Sequence, residues 1–129
     1  MQLQHLHHIA VICSNYAQSK AFYTQVLGLE ILQEVYRAER DSYKLDLALN
    51  GTYILELFSF PNPPARPSRP EATGLRHLAF GVADVVATRQ AFLVQGYAPE
   101  AIRRDEHTGK LFFFVHDPDA LPLEFYETI

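Results

Sequence analysis

Two histidines and two glutamates occupy corresponding positions in two similar halves of the chain. Residues 6–11 (LHHIAV) resemble residues 75–80 (LRHLAF), and the third position of each segment is a histidine, His8 or His77. Later in each half a glutamate interrupts an apolar run, Glu56 in the first half and Glu124 in the second. The spacing from histidine to glutamate is 48 residues in the first half and 47 in the second. Because imidazoles and carboxylates bind divalent metals, the repeat predicts a metal site shared between the halves.

Composition limits the class of protein. A chain of 129 residues has the usual length of one domain, and the duplication predicts that this domain is built from two modules. A net charge of −4 argues against a nucleic-acid surface. The single cysteine, Cys13, excludes an intramolecular disulfide framework. The chain also shows neither an export signal at its start nor 18 consecutive apolar residues. We therefore expect a cytoplasmic protein that spans no membrane.

The first half has the pattern of β-α-β-β-β. Alternating apolar residues over 6–13 predict a strand, and Asn15 is suited to cap a helix that ends near Gly28. Asn50-Gly51 is typical of a tight hairpin turn. Three further strands are therefore expected, over residues 29–36, 43–49 and 52–60.

The second half repeats this order after a proline-rich linker. Residues 61–72 hold five of the eight prolines, and Asp84 and Gly96 then mark the start and the end of a second helix. Strands are expected over residues 75–82, 97–104, 110–116 and 121–126. The predicted fold is α+β, with two tandem βαβββ modules in a single domain over residues 1–129: module 1 about 4–60, the linker about 61–72 and module 2 about 73–128.

Strand geometry predicts where the four residues point. Side chains alternate across a strand, so the two glutamates face away from their apolar neighbours, which we expect to pack on the helices. His8 and His77 share their strand faces with small residues, including Ala10 and Ala79, which leave room for a pocket. An enclosed carboxylate is costly unless it is paired or binds a metal, which favours the metal interpretation.

Other reactive residues fit a functional role less well. The remaining histidines lie near the terminus, on the opposite face, or in and beside turns: His5, His7, His107 and His116. Cys13 is expected to be inert packing at a strand end. Residues 37–41 (RAERD) are a charged run that we interpret as a solvated strand edge, with contact of Arg40 or Lys44 to an anionic substrate as the alternative.

Taken together, these motifs resemble the vicinal oxygen chelate superfamily in its glyoxalase I-like, lactoylglutathione lyase-like branch. The resemblance covers essentially the whole chain. Its signs are the segments around His8 and His77, Leu27-Gly28-Leu29, Leu55-Glu56-Leu57, and Asp117-Pro118-Asp119 before Glu124. It implies two βαβββ modules that form a U-shaped sheet around one divalent metal. By position, it assigns the ligand roles to His8, Glu56, His77 and Glu124.

The ligand set distinguishes branches of this superfamily. The resemblance implies that ring-cleaving dioxygenases use two histidines and one glutamate, whereas glyoxalase I has a fourth, acidic ligand that acts as a base. The Glu56 and Glu124 pair is similar to glyoxalase I, and Glu124 is our candidate base. Glutathione-using members carry Arg and Asn where this chain has Ile12 and Phe60, so we expect a different substrate. Arg66 and Arg69 of the linker are candidate replacements.

The sequence thus predicts a metal-dependent lyase or isomerase that moves a proton on a small α-oxygenated carbonyl substrate, with a thiol hemithioacetal as one candidate. The metal could be Ni, Zn, Co, Mn or Fe. Two alternatives are an Fe(II) extradiol-type dioxygenase and a drug-sequestering binding protein without turnover. The resemblance also implies a homodimer that covers sheet edges and apolar surface. The modules could pair within one chain or between two chains.

Overall fold

The computed structural model describes residues 1–129 and divides the chain into two compact units, Met1–Ala65 (unit 1) and Arg66–Ile129 (unit 2). Each unit contains one four-stranded sheet with parallel and antiparallel pairs, and one helical segment. This organisation confirms the α+β class and the tandem βαβββ pattern. No helix is both long enough and apolar enough to cross a membrane.

The elements of unit 1 are β1 (Ile9–Cys13), α1 (Tyr16–Ala21), a π-helical turn (Phe22–Val26), β2 (Glu30–Arg37), a 3₁₀ helix (Ala38–Arg40), β3 (Ser42–Leu49) and β4 (Thr52–Ser59). The π-helical turn extends helix α1, and the short 3₁₀ helix joins β2 to β3. The sheet has the strand order β1-β4-β3-β2, with β1 parallel to β4 and the other pairs antiparallel. Asn50 and Gly51 have φ values of 50° and 79°, which confirms the predicted hairpin turn.

The elements of unit 2 are β5 (Leu78–Val82), α2 (Val85–Val94), β6 (Arg103–Arg104), β7 (Leu111–His116) and β8 (Pro122–Glu127). They repeat the topology of unit 1 with the strand order β5-β8-β7-β6, in which β5 runs parallel to β8. The side chain of Asp84 accepts a hydrogen bond from the Ala87 amide at 2.9 Å, as Asn15 does from the Gln18 amide at 3.0 Å. Both predicted helix caps are therefore confirmed.

The expected strand over residues 97–104 is wrong for most of its length: Arg103 and Arg104 form the ladder with β7, and before them the Glu100 amide donates a single hydrogen bond to the Phe114 carbonyl at 2.8 Å. Pro99 has no amide hydrogen to donate to a neighbouring strand. The Arg89 Nε donates instead to the Glu100 carbonyl at 2.7 Å, so a helix side chain binds this segment. The strands β1 and β5 also begin later than predicted, at Ile9 and Leu78, and the two site histidines directly precede them.

One face of each sheet packs against the helical segment and forms the core. The apolar residues on either side of the two site glutamates are buried as predicted, with exposures of 1% for Leu55 and 0% for Leu57 and Leu123. In unit 1 the core also includes Val11, Cys13, Phe22, Tyr23, Leu45 and Leu47. In unit 2 it also includes Val85, Phe92, Phe113, Val115 and Phe125. Because strand side chains alternate, the glutamates project from the opposite face.

Candidate metal centre

Each unit brings one predicted histidine next to one predicted glutamate. His8 Nε2 lies 3.8 Å from Glu56 Oε1, and His77 Nε2 lies 3.3 Å from Glu124 Oε2. The glutamates sit opposite small residues of the neighbouring parallel strands, Ala10 in β1 and Ala79 in β5. The repeated spacing thus produces the same local arrangement twice.

The geometry of each pair suits two ligands of one metal ion. Ligands bound about 2.1 Å from an ion, at angles of about 90–109°, lie roughly 3.0–3.4 Å apart. The 3.3 Å separation of His77 and Glu124 falls within this range, and the 3.8 Å of His8 and Glu56 is slightly wider. Imidazole nitrogen and carboxylate oxygen suit Ni, Zn, Co, Mn and Fe. The structure contains no group of three or more His, Cys, Asp or Glu side chains around such a position; it brings the predicted ligands together in pairs.

In unit 1, two polar side chains, Tyr53 and Lys44, contact Glu56. The Tyr53 hydroxyl lies 3.0 Å from Glu56 Oε2 and 3.1 Å from Asp46 Oδ1, within donating distance of both. Lys44 Nζ lies 3.3 Å from Glu56 Oε2 and donates to Asp46 Oδ1 at 2.8 Å. The contacts therefore engage Oε2 of Glu56, while Oε1 is the oxygen nearest to His8.

These contacts also affect the pKa values of the clamping groups. Burial, followed by the hydrogen bond to Glu56, raises the pKa of Tyr53 well above its ordinary value, so its hydroxyl stays protonated. The hydrogen bond to Asp46 raises the pKa of Lys44, although desolvation opposes this shift. Near neutral pH both groups are consequently donors to the carboxylates beside them.

His7 is a neighbour of the site that the sequence interpretation set aside. Its Nδ1 lies 2.8 Å from Nδ1 of His8, so one of the two rings donates to the other. This contact leaves Nε2 of His8 facing Glu56, which is the arrangement expected of a metal-binding histidine whose second nitrogen is hydrogen-bonded. Residues 6–8 precede strand β1, so the alternation that placed His7 on the opposite face does not apply to them.

Glu124 has very different surroundings from Glu56. Asp46 is the cross-strand partner of Glu56, but the cross-strand partner of Glu124 is Phe114. The Phe114 ring meets the His77 ring edge-on, with centroids 5.2 Å apart. Glu124 makes no ion pair with a lysine or arginine; its charged-group contact is with His77. One carboxylate is thus held by a cation and a phenol, and the other lies beside aromatic rings.

Unit 2 also contains an open cleft of about 960 Å³ whose lining includes His77 and Glu124. Four arginines line the same cleft: Arg66, Arg69, Arg76 and Arg103. His116, which the sequence interpretation set aside, lines it as well. The predicted inert residue Cys13 is 2% exposed and belongs to the core of unit 1.

A family model, the Glyoxalase/Bleomycin resistance protein/Dioxygenase superfamily, matches residues 5–125. The chain belongs to this superfamily, which confirms the resemblance drawn from its motifs. The superfamily includes glyoxalase I and dioxygenases; its members bind small molecules, commonly use a divalent metal and often form dimers.

Relatives match the chain over nearly its whole length. The Bacillus subtilis (strain 168) protein YwkD is 58% identical over 98% of this chain and 99% of its own. The structure of a glyoxalase family protein from Enterococcus faecalis is 46% identical, covers 98% of this chain and 100% of that one, and has a TM-score of 0.91. The lactoylglutathione lyase from Agrobacterium tumefaciens shares the fold, with a TM-score of 0.69 at 19% identity, over 98% of this chain and 96% of that one.

Proposed function

We propose that this protein is a divalent-metal-dependent lyase or isomerase of the glyoxalase type. It moves a proton next to a carbonyl group in a small α-oxygenated substrate. The observation that carries the proposal is the twofold pairing of a histidine Nε2 with a glutamate oxygen, at 3.8 Å and 3.3 Å. The proposed ligands of one shared metal are His8, Glu56, His77 and Glu124.

A bound divalent metal would act as a Lewis acid that polarises the substrate carbonyl and stabilises the negative charge that forms when a carbon-bound proton is lost. The chain itself must supply the base. Glu124 suits this role because no lysine or arginine holds its carboxylate and aromatic rings lie beside it. Glu56 is the more firmly fixed partner, since Lys44 and Tyr53 contact its Oε2. Four ligands that include two carboxylates favour this chemistry over the oxygen chemistry of a dioxygenase.

The proposed substrate is not a glutathione adduct. Ile12 and Phe60 stand where glutathione-using members carry a charged and an amide side chain. Ile12 is 55% exposed, and Arg37 lies over the Phe60 ring at 5.8 Å, so these two positions offer an aliphatic and an aromatic surface. The loss of the charged contact and of the amide contact weakens the binding of a glutathione adduct by up to about 3 kcal/mol for each contact.

The metal assignment is tested by metal analysis of untagged protein and by single alanine substitutions at the four ligand positions. We expect each substitution to weaken Zn(II) binding strongly, because each removes one direct ligand. His107→Ala, which changes a histidine in a turn, is the matched control. Unchanged Zn(II) affinity and stoichiometry in all four variants would contradict the assignment.

The reaction is tested by following solvent deuterium incorporation into dihydroxyacetone by NMR, with Zn(II)-, Co(II)- or Ni(II)-loaded protein. We expect Glu124→Gln to lower the exchange rate by about 10²–10⁴-fold while substrate binding changes little, because glutamine cannot accept the proton. Oxygen consumption by Fe(II)-loaded protein with a catechol, without proton exchange, would instead identify a dioxygenase. Efficient turnover of the methylglyoxal–glutathione hemithioacetal would overturn the substrate assignment.

A further inference from the structure

The lining of the unit 2 cleft has a small excess of positive charge, although the chain carries a net charge of −4. Four arginines and three carboxylates, Glu71, Glu100 and Glu124, line it. One of these carboxylates, Glu124, is the proposed base and lies beside His77. The remaining lining therefore has an excess of positive charge next to the position where we expect the reaction.

Two of the four arginines are already occupied. Arg66 donates to the carbonyl oxygens of Leu75 and Arg76, at 2.8 Å and 2.9 Å, so it stabilises the chain around the cleft. Arg76 Nε forms an ion pair with Glu71 Oε1 at 2.6 Å. Arg69 interacts electrostatically with Glu71, and it belongs to the proline-rich segment before β5, where no aromatic ring orients it.

Arg103 also has a carboxylate partner, Glu100, but unlike the other three arginines it is oriented by aromatic rings. Its guanidinium carbon lies over the Phe112 ring at 5.0 Å and over the Phe114 ring at 5.5 Å from the centroids. These ring contacts hold the planar group in a defined orientation. One nitrogen, Nη2, donates to Glu100 Oε2 at 3.2 Å, while the structure gives Nε and Nη1 no hydrogen-bond partner. The Phe114 ring contacts both this guanidinium and the His77 imidazole.

We propose that the cleft selects substrates that carry an anionic group, a phosphate or a carboxylate, and that Arg103 is the specificity-determining residue that binds it. The oxygenated end of the substrate lies at His77 and Glu124, and the anion lies across the Phe114 ring at Arg103. This inference rests on the proposed function for the position of the reacting end. Guanidinium groups bind both anions through paired donors, so the chemistry of recognition is shared.

The test compares two probes that differ by one phosphate, dihydroxyacetone and dihydroxyacetone phosphate. Their affinities are measured by calorimetry for the full-length protein, with and without Zn(II). We expect the phosphate-bearing probe to bind at least about tenfold more tightly, and Arg103→Met to remove most of this preference. Binding of dihydroxyacetone and of Zn(II) should not change in this variant. Competition by inorganic phosphate against acetate then identifies which anion the cleft prefers.

Arg104→Met is the matched control, because Arg104 belongs to the same short strand but does not line the cleft and donates to the Gly109 carbonyl. Arg103→Lys keeps the positive charge but loses the planar fork of the guanidinium. This variant should therefore show an intermediate preference for the phosphate-bearing probe. Equal preferences in Arg103→Met and Arg104→Met, or no preference in the unmodified protein, would overturn the inference. A preference for the phosphate-bearing probe without proton exchange would overturn the proposed function and leave this inference standing. Proton exchange without that preference would overturn this inference and leave the proposed function standing.

Discussion

At the scale of single residues, Glu56 and Glu124 occupy equivalent strand positions but have unequal partners. Lys44 and Tyr53 contact Oε2 of Glu56, whereas the corresponding surroundings of Glu124 include Phe114. A carboxylate with one oxygen fixed in this way has fewer orientations available than a carboxylate beside apolar rings. This difference supports a role for Lys44 and Tyr53 in positioning the carboxylate of Glu56.

We predict that Tyr53→Phe weakens Zn(II) binding about tenfold, because outer contacts that orient a metal ligand typically contribute 10–100-fold to affinity. Competition with a chelating dye would measure this affinity. Tyr43→Phe is the control, since Tyr43 also lies in the sheet of unit 1 but stacks on Tyr16, away from Glu56. Equal Zn(II) affinities in the two variants would argue against the positioning role.

The four predicted metal ligands follow from the repeat, but Tyr53 does not. In a regular strand, Tyr53 would share a face with Leu55 and Leu57. The register shifts between Leu47 and Ala48, where the pairing passes from Leu55 to Tyr53 and leaves Ile54 without a partner. This bulge turns the Tyr53 side chain toward Glu56. A bulge of this kind depends on the pairing of two strands, and the sequence of one strand does not specify it.

At the scale of secondary-structure elements, a small ionic cluster joins α1 to β2. Lys20 Nζ lies 2.7 Å from Glu34 Oε2, and the Tyr16 hydroxyl donates to the same oxygen. The hydrogen bonds from Lys20 and then Tyr16 lower the pKa of Glu34 below its ordinary value. Glu34 therefore stabilises the fold when ionised.

We predict that Glu34→Gln lowers the free energy of unfolding by about 0.5–1 kcal/mol at pH 7, the range of a partly exposed ion pair. A lowered pKa gives stability that is present above the unfolded value, near pH 4.5, and is lost as the pH falls through the folded value. The difference between the two proteins should thus shrink progressively as the pH falls below about 4.5. Urea unfolding across this range measures it, and Glu30→Gln, at an exposed position of the same strand, is the control. A difference independent of pH would contradict the ionic explanation.

Elements set by local chemistry were predictable from the sequence. Asn15, Asp84 and the Asn50-Gly51 turn act on adjacent residues, so their types alone indicated two helix starts and one hairpin. The strand expected over residues 97–104 failed because Arg89, from a different element, binds the Pro99 and Glu100 carbonyls. The π-helical turn Phe22–Val26 was also not anticipated, since the apolar spacing fits an ordinary helix equally well.

At the scale of the whole molecule, strand β2 is an edge of the unit 1 sheet that exposes apolar side chains. Ile31, Leu32 and Tyr36 are 47%, 52% and 49% exposed. An exposed apolar edge strand is a surface that proteins usually cover. We propose that a second copy of the chain covers it, which agrees with the dimers common in this superfamily.

We predict a homodimer by sedimentation velocity at tens of micromolar protein. Leu32→Lys should shift the equilibrium toward monomer, because it places a charge on the apolar edge. Val86→Lys, which changes an exposed residue of helix α2, is the control. A monomer in the unmodified protein would contradict the proposed dimer.

Mixing two inactive variants distinguishes pairing within a chain from pairing between chains. One variant lacks both ligands of unit 1 (His8→Ala, Glu56→Ala) and the other lacks both ligands of unit 2 (His77→Ala, Glu124→Ala). If sites form between chains, a mixed dimer regains one complete ligand set and part of the Zn(II) binding. If each site forms within one chain, unfolding and refolding the mixture restores none.

The unequal settings of the two glutamates have a stereochemical consequence. Two equivalent carboxylates would remove and return a proton at either side of a planar substrate, and the product would be racemic. If Glu124 is the base, as proposed, and Lys44 and Tyr53 hold Oε2 of Glu56, protons are exchanged at Glu124 alone. Proton return then occurs from one side, so a substrate that gains an asymmetric carbon should leave the protein as a single enantiomer.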